Sequence, residues 1–479
     1  MSCPAPARLI AIACASLLGA RAAAQDATAA ASQELARGSV IERVACAGVA
    51  GQSYALYLPS TYTRDRAWPI LYAFDPGGQG ARPVKLAAGP AERFGWIVAG
   101  SNNSRNGPMP EIQAAVAAIV QDTGSRFAID ARRVYATGFS GGARVATGLA
   151  MGCRGCVAGV FAQGAGLPAG ATSADALDAA WFAAAGERDM NYAELFQLEQ
   201  ELLKRGARQR FRVFSGGHEW APAPVWDEAL AWFELLAMKD GRRPRDATLV
   251  PSLFDDASAR AAGFRDRGEL LDERRELEAV VRNFDGFADT APARGRVKEL
   301  AASPAYRKAL DRQRSAIAEQ VRVTADLGDE LQKLAEAPGE GRAEVVLRAN
   351  RDANELMKNV ASAKDPDRRL VYERALSQVY IQAMETARGA LRQERTDSAL
   401  DLFEIASTLR PEAPQPQLGR AQAQAAAGRK PHAVRSLRRA LELGLTPQDL
   451  ARVLETNEAF AKLRSGPDVV ALLAAAPQP

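Results

Sequence analysis

Histidine is nearly missing from this chain: 479 residues contain two, His218 and His432. Any chemistry that needs an imidazole base must use one of these positions. Aromatic residues are also sparse, at 6%. Charge of one sign is not in excess, since 61 Lys and Arg face 57 Asp and Glu and leave a net +4. Such a balance does not point to a nucleic-acid partner. Long hydrophobic runs are absent apart from one near the N-terminus. With 47% hydrophobic and 25% charged residues, the composition excludes collagen-like, disordered and multi-span membrane classes. The length suits about three domains, at roughly 150 residues each.

The one apolar run, Leu9 to Ala20, follows a short polar start with Arg8 and precedes Ala22-Ala23-Ala24. This is the three-part pattern of a secretory signal peptide over residues 1–24, with cleavage before Gln25. The run is too short to span a bilayer, which takes about 20 residues. The mature chain is therefore expected in the periplasm or secreted, with no stable membrane insertion after cleavage. Export bears on the cysteines, because disulfides persist in oxidising compartments. Cys46, Cys153 and Cys156 remain after cleavage. The C-x-x-C at 153–156 lies at the end of an expected helix, not where a helix N-terminus would activate a thiolate. It reads as a structural disulfide or as idle thiols, and one cysteine of a monomer stays unpaired.

The chain changes character near Lys239–Arg245. Before that seam, short β-branched or aromatic runs are expected as strands at Ile41–Ala47, Ser53–Leu58, Ile70–Phe74, Ile97–Ser101, Val134–Thr137, Gly159–Ala162, Trp181–Ala185 and Phe211–Phe214. Helical patterns fall between most of them, at Pro110–Thr123, Ala143–Met151, Tyr192–Arg205 and Val225–Met238. Strands alternating with crossover helices imply a mostly parallel sheet covered on both faces, with an antiparallel edge where a short turn at Gly51 joins the first two. After the seam the pattern is helical throughout, so the fold class is an α/β domain followed by an all-α region. Leu270, Leu277, Val281 and Phe284 recur at helical spacing and are expected to pack. The run Asp272-Glu273-Arg274-Arg275-Glu276 reads as a solvated face. Further on, Ala399, Phe403, Ala406 and Pro411 reappear 34 residues later as Ala433, Leu437, Ala440 and Leu445. Small and large positions at this period resemble the second helix of a tetratricopeptide repeat over Tyr380–Leu445. Leu445 stands where that pattern has Pro, and the first helices lack its Trp and Tyr.

Chemistry concentrates in the first half. Gly138-Phe139-Ser140-Gly141-Gly142 fits Gly-x-Ser-x-Gly and lies between an expected strand and an expected helix. Glycines two residues either side of the serine leave room for a sharp turn that lifts its hydroxyl above the sheet. A serine hydroxyl needs a base within hydrogen-bond reach, usually a histidine oriented by a carboxylate. His218 follows the last expected strand, where the order Ser, acid, His requires the base. His432 sits in the helical repeat and is expected on the surface. The acid belongs after the penultimate strand, where Asp189 stands at the loop position and Glu187 is the alternative. Gly141, next to the nucleophile, supplies one backbone N–H for a developing oxyanion. Another comes from the loop Asp75-Pro76-Gly77-Gly78-Gln79-Gly80, at Gly77 or Gly78, since Pro76 has no N–H.

On these motifs, with the late Gly216-Gly217-His218-Glu219-Trp220, residues 41–239 resemble an α/β-hydrolase, within the esterase group related to polyhydroxybutyrate depolymerases and feruloyl esterases. The resemblance implies a Ser140 nucleophile, a His218 base, an Asp189 orienter and an oxyanion hole at Gly77 and Gly141. That family usually shows His-Gly where this chain has Asp75-Pro76. The implied activity is hydrolysis of carboxylic esters through an acyl-enzyme, with no metal or cofactor. Peptidase or acyltransferase chemistry on the same residues is the first rival. An exported helical-repeat scaffold with a vestigial hydrolase domain is the second. The stretch Gln163–Asp178 is too short for a large lid and suggests an open cleft, and Ser101–Pro108 is a candidate lining loop. The expected organisation is a signal peptide at 1–24, an α/β-hydrolase domain at 25–245, a helical region at 246–376 and tetratricopeptide-like repeats at 377–479. The last region is expected to dock a protein partner or shield the cleft.

Overall fold

In the computed structural model, which describes residues 35–172, 178–337 and 341–475, the β-branched and aromatic runs of the first half join one eight-stranded sheet. The expected signal peptide lies outside the described residues. The strands are β1 (Val40–Ala45), β2 (Ser53–Tyr57), β3 (Trp68–Phe74), β4 (Ile97–Ser101), β5 (Ile129–Phe139), β6 (Gly159–Gln163), β7 (Ala180–Gly186) and β8 (Gln209–Phe214). Their order across the sheet is β1-β2-β4-β3-β5-β6-β7-β8. β2 runs antiparallel to β1 and β4, and every other neighbouring pair is parallel. β2, β3, β4, β6 and β7 are buried along their whole length, which is why they read as continuous apolar runs and not as alternating ones.

The crossovers are α1 (Ala81–Phe94), α2 (Met109–Arg126), α3 (Gly141–Gly152), α4 (Tyr192–Lys204) and α5 (Ala223–Lys239). One apolar core fills the face that carries α2 and α3, around Trp68, Tyr72, Ile119 and Trp181. Another fills the opposite face beneath α1 and α5, around Trp96, Tyr135, Phe182 and Trp226. The sequence pattern did not reveal α1, because Pro83, Gly89 and Pro90 punctuate it. Pro83 lies in the first turn, where no intrahelical N–H bond is lost, while Pro90 sits inside the helix and is tolerated there because α1 is buried against the sheet. Cys153 and Cys156 are bonded to each other, and Cys46 is free and buried. Burial, reinforced by Asp122, pushes the Cys46 thiol up to about 11, which keeps it unreactive.

The chain divides into two compact units, Met1–Gln313 and Arg314–Pro479. The first therefore includes α6 (Leu249–Asp266), α7 (Leu270–Phe284) and α8 (Ala291–Ala302) beside the sheet, and the boundary falls within α9 (Pro304–Glu336). Here one expectation fails. The run 272–276 is not a solvated face: Glu273 and Glu276 are buried. Glu273 accepts from Arg265 and Arg296 at 2.9 and 2.8 Å. Glu276 takes both oxygens to Arg210 of β8 at 2.8 Å and accepts from Arg260 of α6 at 3.1 Å. Glu228 of α5 completes the cluster through Arg210 and Arg212. Helical periodicity places these charges on one face but cannot say that β8 presents two arginines to that face. Beside the cluster lies a cavity of about 470 Å³, walled by Trp232, Leu253, Phe284 and the paired arginines.

The second unit is helical: α10 (Arg342–Ser362), α11 (Pro366–Arg392), α12 (Thr396–Leu409), α13 (Pro414–Ala426), α14 (Lys430–Glu442), α15 (Pro447–Thr456) and α16 (Pro467–Ala475) follow α9. Ala399, Phe403, Ala406, Ala433, Leu437 and Ala440 are all fully buried. The turns after α11 and α13 match at the same 34-residue offset. The Arg395 N–H donates to Ala390 O at 2.9 Å, and the Arg429 N–H donates to Gln424 O at 2.8 Å. Glu394 and Gly428 take positive φ of 60° and 71° at equivalent points. No helix among the described residues is long and apolar enough to cross a membrane.

The buried charge cluster makes α7 part of the stability of the first unit. Glu228 is penalised by burial, but Arg210, Arg212 and Arg260 outweigh this and hold its carboxyl at about 2; Glu276 is likewise held below its ordinary value by Arg210 and Arg212 despite burial. Depressed carboxyls stabilise the fold above their unfolded values of about 4.3, and this is lost as pH falls toward about 2. Glu276→Ala leaves Arg210, Arg212 and Arg260 to share the single carboxylate of Glu228 and should cost about 3 kcal/mol. Urea unfolding at pH 7 should show the lowered midpoint, and the difference from wild type should shrink as both are acidified.

Candidate active site

Ser140 follows β5 directly and serves as the N-cap of α3, with φ 52° and ψ −121°. Only Glu394 shares a positive φ among described non-glycine residues. The strain is enforced by packing on both sides. A Cβ on Gly138 would overlap the Gly142 carbonyl and lie 2.7 Å from Ala143 N; one on Gly142 would overlap the Phe74 carbonyl oxygen and lie 2.6 Å from its carbon. The turn is thus wedged between β3 and its own helix, and the Ser140 N–H donates to Gln163 O at the end of β6 at 2.8 Å.

Three side chains meet above these strand ends. His218 Nε2 lies 2.9 Å from Ser140 Oγ, and His218 Nδ1 lies 2.9 Å from Asp189 Oδ1. With Nδ1–H donating to the carboxylate, Nε2 is left as the acceptor for the serine hydroxyl. Asp189 is fully buried and also accepts the Asn191 N–H at 2.8 Å; its Oδ2 has no hydrogen-bond partner among the described residues. The alternative acid, Glu187, is not brought to the imidazole and pairs with Arg188 at 3.1 Å. His432 is exposed at the start of α14.

The supports of this group were not legible in the sequence. Gln163, fully buried, donates from Nε2 to Thr137 Oγ1 at 3.1 Å and accepts the Ala221 N–H at 3.1 Å, so it ties β5 to the loop after His218. Phe139 packs on the imidazole with ring centroids 4.6 Å apart, and Trp220 packs on Phe139 at 5.5 Å. Asn191 Nδ2 donates to Gly164 O at 2.7 Å. A glutamine at the end of an apolar run is the sequence signal, and it does not reveal its partners. The loop after β6 is pinned down: Gly166 N–H donates to Glu194 at 2.9 Å, and Arg144 pairs with Glu194 at 2.8 Å.

The two N–H groups expected to face an oxyanion differ in what they already hold. Gly141 opens α3, where an N–H has no intrahelical acceptor. The Gly77 N–H, in contrast, is already engaged by Asp75 Oδ1 at 2.8 Å. Asp75 is buried, accepts the Gln79 N–H as well at 3.2 Å, and accepts Trp220 Nε1–H on its other oxygen at 3.2 Å. Asp75 therefore folds this loop around itself and links it to the His218 loop. The engagement of the Gly77 N–H has a simple cause: a carboxylate two residues before an N–H captures it in an Asx turn.

No family model matches the chain, and no curated protein matches it. Solved structures similar to its first part include a ferulic acid esterase, 17% identical over 40% of this chain and 94% of that one, with a TM-score of 0.34. A fluorophosphonate-binding serine hydrolase of Staphylococcus aureus is 12% identical over 41% of this chain and 99% of its own, also at 0.34. An esterase of Rhizomucor miehei is 17% identical over 42% and 85%, at 0.34.

Gly142→Ala should displace β3 from the turn and destroy the alignment of Ser140 with His218. The expected result is loss of the cooperative thermal transition or, if the protein folds, loss of all Ser140 reactivity; a folded and fully reactive variant would contradict the packing argument.

Proposed function

We propose that this chain is an exported serine hydrolase that cleaves carboxylic esters through an acyl-enzyme. The observation that carries this reading is the unbroken chain from Ser140 Oγ through His218 to buried Asp189, with 2.9 Å at each link. Ser140 Oγ attacks the acyl carbonyl carbon as its proton passes to His218 Nε2, and the carbonyl oxygen becomes an oxyanion facing the Gly141 N–H. The tetrahedral adduct collapses, the bond to the alcohol oxygen breaks, and Nε2–H protonates the leaving alkoxide. Water then gives a proton to Nε2 and attacks the acyl carbon, and collapse returns Oγ–H and a free acid. Asp189 holds the tautomer in which Nε2 accepts and stabilises the imidazolium that forms. Every proton is accounted for by His218, so no metal or cofactor enters the scheme.

Export rests on the N-terminal pattern at 1–24. For residues 377–479 the reading is a tetratricopeptide-like array that docks a protein partner, supported by the two turns that match at a 34-residue offset and by the buried alanines on α12 and α14.

The test is labelling of the mature protein with a fluorophosphonate, followed by peptide mapping and hydrolysis of p-nitrophenyl and amide substrates. An adduct on Ser140, absent in Ser140→Ala, is expected. Asp189→Asn should lower kcat by about 10⁴-fold, because the amide favours the wrong tautomer. His218→Ala should abolish turnover and His432→Ala should leave it unchanged. A folded wild-type protein that takes no label would instead favour the scaffold reading, and faster amide than ester cleavage the peptidase one.

A further inference from the structure

We propose that Asn106 is a catalytic residue of this site, its side-chain amide donating to the oxyanion beside the Gly141 N–H; this rests on Ser140 being the nucleophile. In the loop that ordinarily offers the second backbone donor, residues 76–79 present no open N–H. Pro76 lacks an N–H, Gly77 and Gln79 donate to Asp75 Oδ1 at 2.8 and 3.2 Å, and Gly78 donates to Asp75 O at 3.0 Å. For Gly77 to serve an oxyanion it would first have to leave a carboxylate, exchanging one charge-assisted bond for another. Such an exchange gives little preference for the transition state over the ground state.

Asn106 occupies the place where a donor is needed. A Cβ on Gly141 would collide with its Oδ1 and would lie 2.7 Å from its Cγ and 3.0 Å from its Nδ2. The amide thus lies against the residue that follows the nucleophile and carries the open N–H. Rotation by half a turn about the terminal torsion exchanges its oxygen and its NH₂ group in the same space. Its side chain makes no hydrogen bond among the described residues, and Asn106 is exposed, so neither donor is committed to holding the fold. Its backbone is fixed nevertheless. The Asn106 N–H donates to Pro76 O at 2.8 Å, Arg105 bridges Gly77 in antiparallel fashion, and the same loop is tied at its start by Asn102 N–H to Ser53 O at 3.0 Å. A fixed backbone that holds an uncommitted amide against Gly141, the residue after the nucleophile, limits the reorganisation needed to donate. Asp75 and Asn106 then form one device: the aspartate removes the Gly77 donor, and the neighbouring loop, bonded to Pro76 O, carries the replacement.

The experiment compares p-nitrophenyl acetate hydrolysis by full-length wild type, Ser140→Ala, Asn106→Ala and Asn106→Asp. Asn106→Ala is expected to lower kcat and kcat/KM together by about 100- to 1,000-fold, the loss typical of one oxyanion donor, with an unchanged melting temperature. Asn106→Asp keeps the size, has no donor when ionised and should fall at least as far at pH 8. Wild-type hydrolysis that vanishes in Ser140→Ala but persists within threefold in both Asn106 variants overturns this inference alone. A raised KM at constant kcat also overturns it, because the amide would then bind the ground state only. Absence of Ser140-dependent hydrolysis in wild type overturns the nucleophile reading and this inference with it.

Discussion

Two carbonyl oxygens leave no room for a side chain at the turn between β5 and α3, and the rest of the site depends on that close approach. Gly142 lies against Phe74 and Gly138 against Gly142, so the end of β3, the end of β5 and the start of α3 share one small volume. That crowding holds Ser140 at a φ an L-residue adopts only under constraint, and it fixes the direction in which the hydroxyl points. Loops from other strand ends can then be short and still reach it. His218 comes from the loop after β8 and Asp189 from the loop after β7. The buried amide of Gln163 between them satisfies Thr137 and Ala221 at once.

Polar groups do the same work at a larger scale. β8 carries Arg210 and Arg212 just before the His218 loop, and both reach Glu228 on α5, while Glu276 on α7 joins them. Charges buried in this way are tolerated because each guanidinium meets a carboxylate and each carboxylate meets more than one guanidinium. The first three helices after the seam, α6 to α8, therefore belong to the same compact unit as the sheet. A composition shift at Lys239–Arg245 marks a change of secondary structure, not the edge of that unit.

Legibility followed the range of the interaction. Strand positions were readable because fully buried parallel strands are continuous apolar runs. Ser140, Asp189 and His218 were readable because a Gly-x-Ser-x-Gly turn and the order of strand ends constrain residue type over short distances. Helix α1 was hidden because proline and glycine break isolated helices but survive in one packed on a sheet. The burial of Glu273 and Glu276 was hidden because a charge run looks the same on a solvated face and on a paired one.

By itself the sequence determined an α/β region followed by helices, a glycine-flanked turn at Ser140, and a histidine after the last strand. These are properties of local sterics and hydrophobic pattern. Tertiary structure alone decided that Trp220 donates to Asp75, that Asn106 lies over Gly141, and that arginines of β8 meet glutamates of α5 and α7. Each depends on groups brought together from distant points of the chain, where hydrogen-bond partners are chosen by distance and direction in space, and the spacing along the sequence carries no record of either.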